Sequence, residues 1–95
     1  MSATLSGKVI EIDPNGDLIT DVSADSLDHA PRDASLRIVV DEHETYGLFP
    51  PEHSQPEMTL VAILEDGKTM RVVLVGDSAS AMLGVRVGAA VTVTW

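Results

Sequence analysis

Ninety-five residues, 44% apolar and 22% charged, fit one globular domain, with no room for a catalytic domain beside an accessory one. Fifteen acidic against six basic side chains give a formal charge of −9, which argues against nucleic-acid and anionic-membrane partners, since both require clustered cations. The lack of cysteine excludes disulfides, thiolate metal sites and thiol catalysis.

The apolar residues recur with a period of two, the signature of strands with one buried face. GKVIEID (7–13) sets Ile10 and Ile12 on one face, flanked by Lys8 and Glu11. Pro14-Asn15-Gly16 then breaks the chain, because Asn-Gly tolerates the positive φ of a tight hairpin turn. DLITDV (17–22) aligns Leu18, Thr20 and Val22. SADSLDHAPRDA (23–34) is polar and interrupted by Pro31, with room for one helical turn. SLRIVVD (35–41) aligns Leu36, Ile38 and Val40 and leaves Arg37 outward. PPEHSQPE (50–57) carries three prolines and cannot pair as a central strand. MTLVAILED (58–66) and KTMRVVLV (68–75) read as strands buried on much of both faces, joined by a turn at Asp66-Gly67. One short helix is expected over SASAMLG (78–84), with Ser78 as N-cap and Gly84 just past the end. AVTVTW (90–95) alternates Val91, Val93 and Trp95 with threonines. The expected fold is all-β: a small closed antiparallel barrel of Greek-key type, with six or seven strands and that one helix, in a single domain spanning 1–95.

Catalytic machinery is not evident in the residue pattern. His29, His43 and His53 lie far apart, without metal-ligand spacing. Asp13-Pro14-Asn15-Gly16-Asp17 has the D-x-N-x-D opening of a calcium loop, but Leu18 and Ala24 stand where such a loop needs Gly and Glu. It reads as a hairpin turn with acidic flanks, and no metal site is expected. No serine has a nucleophile elbow, and no lysine sits in an apolar run. The opening MSATLSGKVIEID lacks a leader's apolar run, and no stretch approaches the ~20 apolar residues of a membrane span, so a soluble cytoplasmic domain is expected.

Three blocks, in order, resemble the C-terminal domain of the S-adenosylmethionine hydroxide adenosyltransferases and their fluorinase and chlorinase relatives. GKVIEIDPNGDLITDV resembles that domain's opening, G-x-V-x-x-I-D-x-F-G-N-L-I-T-N-I. TYGLFPPE is similar to T-Y/F-x-D-V-P-P-G. VLVGDSASAMLGVRVGAAVTV resembles the closing N-G-G-S-A-A-x-x-L-G-L-x-V-G-D-x-V. The resemblance implies a seven-stranded antiparallel barrel that supplies the adenine side of a pocket, at an interface with a neighbouring subunit. The chemistry of the family resides mainly in an N-terminal α/β domain that these 95 residues do not resemble.

Carried over by position, the implied ligand residues are Asp13, Gly16, Asp17, Tyr46, Ser78 and Ala79. Tyr46 would stack on the base, Asp17 stands in place of an adenine-binding Asn, and the Ser78-Ala79 backbone would meet the base edge. The departures fall on the same site: Asn15 replaces a Phe, Asp17 the Asn, and Leu48 an Asp. Glu65-Asp66-Gly67 occupies a region that in the family helps hold the methionine end, where two carboxylates would repel a substrate carboxylate. The implied function is a non-catalytic barrel module with a weakened pocket for S-adenosylmethionine or adenosine, completed by a separate catalytic protein or a second copy. The alternative is a scaffold barrel that binds no nucleoside.

Overall fold

The computed structural model describes residues 3–65 and 67–95. Among them are eight strands: β1 (Thr4–Ile12), β2 (Leu18–Ser23), β3 (Arg37–Val40), β4 (His43–Tyr46), β5 (Leu48–Phe49), β6 (Leu60–Ile63), β7 (Thr69–Leu74) and β8 (Ala90–Thr94). A single turn of 3₁₀ helix (Asp25–Leu27) follows β2, and helix α1 (Ala79–Leu83) follows β7. The strands form one sheet in the order β4-β3-β8-β1-β2-β7-β6-β5. Neighbours run antiparallel, except that β5 lies parallel to β6.

The two ends of this order nearly meet. β4 passes into β5 through Gly47 (φ +83), so the strand that ends one side of the sheet continues along β6 on the other. Thr45 Oγ1 donates to Leu60 O at 2.6 Å and bridges β4 to β6. The result is an almost closed, mixed barrel. The expected barrel and its short helix are therefore present, with two corrections: eight strands rather than six or seven, and one parallel pair in an otherwise antiparallel sheet. Both corrections come from HETYGLF, a stretch too polar and too broken by Gly47 to show alternation.

Leu18, Val22, Ile38, Val40, Val91 and Val93 point into the barrel, none more than 5% exposed. Thr20 is buried among them, and its hydroxyl donates to Met70 O at 2.6 Å, which offsets the cost of removing it from water. β6 is buried on both faces, whereas β7 alternates and leaves Thr69, Arg71 and Val73 partly exposed. The expected shared face of Ile10 and Ile12 is not observed. A β-bulge between Val9 and Glu11 turns Val9 inward, while Ile10 stays 47% exposed. The turn expected at Asp66-Gly67 lies partly outside the described residues.

Helix α1 crosses one end of the barrel. Ala79 and Val85 enter the core, at 0% and 2% exposure. Ser78 caps the helix, its Oγ accepting Ala81 N–H at 3.1 Å, and Gly84 ends it in the left-handed conformation, as expected. The helix is tied at both ends. Ser80 N–H donates to Gly16 O at 3.0 Å, and His43 Nε2 lies 3.1 Å from Leu83 O. Among the described residues, no helix is long and apolar enough to cross a membrane.

Candidate functional site

The residues 13–17 form a turn held by one side chain. Asp13 Oδ1 accepts the N–H groups of Asn15 and Asp17, both at 2.9 Å, and Asp13 O accepts Gly16 N–H at 2.9 Å. Only Gly16, at φ +86, uses the left-handed region; Asn15 does not. This is the three-residue hairpin loop with a glycine at its end rather than a primed two-residue turn. Gly16 also lies directly against the start of α1. A Cβ there would fall 2.6 Å from Ser78 Cβ and 2.9 Å from its Cα, so a side chain cannot be accommodated without movement.

This contact brings five of the six expected site residues together: Asp13, Gly16, Asp17, Ser78 and Ala79. Four of them also hold the joint itself together. Gly16 and Ala79 are buried in the joint between turn and helix. The Asp13 carboxylate is engaged by turn amides, and the Ser78 hydroxyl by the helix cap. Asp17, like Ser78, borders open space. It lines an open hollow of about 480 Å³ with Asn15, Val73, Leu74, Gly76, Asp77 and Ser78. Burial, and then the adjacent Asp13, push the Asp17 carboxyl above the ordinary aspartate value, while Arg71 pulls it back.

Tyr46 does not line this hollow. It stands 48% exposed on the outer face of β4, where its hydroxyl donates to Glu44 Oε1 at 3.1 Å. Arg37, across the strand pair, binds the other oxygen of Glu44 through Nη2 at 2.7 Å and Nε at 2.8 Å. Hydrogen bonds from Arg37 and from Tyr46 hold the Glu44 carboxyl below its usual range.

A second groove, of about 400 Å³, lies on the outer face of the barrel. Register makes its floor: Glu11 pairs with Ile19, Ile19 with Arg71, and Arg71 with Ile63, one row across four strands. Asp17 and Val73 lie two positions along the chain from Ile19 and Arg71 and line the hollow, and the two openings share no lining residue. Glu65 borders the groove but is not an isolated charge. Lys68 Nζ lies 2.9 Å and Arg71 Nη2 3.6 Å from its two oxygens, and the Lys68 hydrogen bond pulls its carboxyl down. Glu65 is thus paired with two cations, and Asp66 lies outside the described residues.

Arg71, Lys68 and Asp77 were not singled out by motif. The signal for Arg71 is its outward position in KTMRVVLV, and for Asp77 its place just ahead of the helix cap. The histidines stay apart: His29 is exposed beside Asp28, His53 Nδ1 accepts Gln55 N–H, and His43 meets α1. Among the described residues, no three His, Asp or Glu side chains gather as metal ligands.

No family model and no curated protein sequence matches the chain. Solved structures do. An uncharacterized conserved protein from Thermotoga maritima superposes with a TM-score of 0.76 and 18% identity, over 95% of this chain and 35% of that one. A conserved hypothetical protein from Thermus thermophilus superposes with a TM-score of 0.70 and 25% identity, over 93% of this chain and 34% of that one. This chain therefore spans about a third of the length of each. The likeness establishes that the same barrel occurs inside longer proteins.

Proposed function

We propose that this chain is a non-catalytic binding module of the cytoplasm, whose hollow beside the 13–17 turn is a weakened half-site for an adenosyl group, completed by a protein partner. The observation that carries this reading is the joint between Gly16 and Ser78. It brings two sequence-distant blocks, each similar to the adenosyltransferase pattern, to one open hollow with the half-buried Asp17 on its wall. The barrel interior supports an outer-surface site, because barrels of about eight strands are filled by their own side chains. That relatives of the fold carry this barrel as a third of a longer chain supports completion by further protein.

The scaffold reading draws on Tyr46. With its hydroxyl on Glu44 and its ring outside the hollow, the aromatic that the resemblance assigns to base stacking is not at hand. Calorimetric titration separates the two. Under the binding reading, wild type takes adenosine weakly, Asp17→Asn takes it up to about a hundredfold more tightly, since a bidentate amide–adenine pair is worth roughly 1–3 kcal/mol, and S-adenosylmethionine is recovered uncleaved. If neither form binds adenosine or S-adenosylmethionine, the scaffold reading replaces this one.

A further inference from the structure

We propose that the hollow takes an amino-substituted purine with Asp17 as a carboxylic acid, so that each ligand bound brings one proton from solvent into the site. This rests on the nucleoside reading above and concerns its regulation.

An amino-purine edge presents an N–H donor beside a ring-nitrogen acceptor, and an Asn side chain satisfies both. An ionised carboxylate has acceptors only, so one of its oxygens faces the ring nitrogen's lone pair. A protonated carboxyl restores the Asn pattern, with C=O accepting from the amine and O–H donating to the ring nitrogen.

The surroundings favour that proton. Asp17 is half-buried in the wall of the hollow. Asp13 faces it from the turn, with Oδ1 already accepting two amide hydrogens and therefore fixed as an acceptor. Asp77 lines the same hollow ahead of α1, and the side chain of Glu57 lies against Gly76 at its rim. Arg71, on β7, is the opposing charge, and it is shared with Glu65. Burial, the charge of Asp13 and a hydrogen bond to the Asp13 carboxylate outweigh Arg71 and raise the Asp17 carboxyl. A ligand that closes the hollow offers a ring nitrogen in place of Asp13 as acceptor of that proton and removes more water from Asp17, and this loss of water drives proton uptake further.

The test is calorimetric titration of adenosine into the full chain between about pH 5.5 and 8, for wild type and Asp17→Asn. Wild-type affinity is expected to fall with rising pH, approaching tenfold per unit, the limit for uptake of one proton. Two buffers of different ionisation heat should show that uptake directly. Asp17→Asn should bind more tightly at the upper end, vary less than about twofold, and take up no proton. A flat wild-type profile while Asp17→Asn binds would overturn the proton linkage and leave the nucleoside reading standing. A slope retained in Asp17→Asn would assign the proton to another carboxyl and also overturn it. Silence from both proteins at every pH removes both proposals.

Discussion

At the scale of single residues, the turn–helix joint turns on two positions with opposite demands. Gly16 must have no side chain, since its positive φ and its contact with Ser78 both exclude one. Gly16→Ala is expected to cost about 2–4 kcal/mol, combining left-handed strain with overpacking, read from urea unfolding. A cost under about 1 kcal/mol would mean that the joint is looser than described. Asp17 is the converse case, a residue whose ionised form the fold tolerates poorly. Because its folded-state value is raised, the folded chain holds this proton more tightly than the unfolded chain does. Its contribution is fully present below the unfolded value near 3.8 and is lost as pH rises through the folded value. Asp17→Asn should therefore be more stable than wild type at neutral pH, with the gap closing in acid, as thermal unfolding across pH would show. Much of this joint was legible beforehand, because glycine after Asn and a serine cap ahead of a short helix have local physical causes. That Asp13, Gly16, Ser78 and Ala79 serve the joint itself was not, since only the packing of two distant segments assigns them that role.

Among the elements, the strands with clean alternation were legible and those without it were not. LIT and RIVV bury every second residue because one face meets the core. β1 departs from the pattern at Ile10, where the bulge inserts a residue and shifts the register, a change that periodicity alone cannot anticipate. β4 and β5 escaped notice for a different reason. They are short, β4 carries His, Glu, Thr and Tyr, and their pairing is long-range, so no local signal marks them. They nonetheless close the barrel, and between β4 and β6 the closure runs through a side chain. Thr45→Val keeps the shape but deletes the hydrogen bond to Leu60 O and leaves that carbonyl without it. The expected loss is about 1–2 kcal/mol. Amide exchange should quicken in residues 43–49 before it does in β1, β2 or β8; uniform quickening across the sheet would argue that the seam is no weaker than the rest.

For the whole molecule, charge and architecture both direct attention to the outer surface. The formal charge of −9 opposes close self-association through acidic faces. The barrel interior is filled by side chains, and the hollow at Asp17 and the groove at Arg71 both open on its outside. The measurement that tests this account most directly is a backbone amide NMR titration of the full chain with adenosine. Fast-exchange shifts are expected to saturate and to cluster in residues 13–19 and 73–79, more strongly in Asp17→Asn than in wild type. Saturating shifts centred on Tyr46 and residues 37–46 instead, or none in either protein at millimolar adenosine, would contradict it.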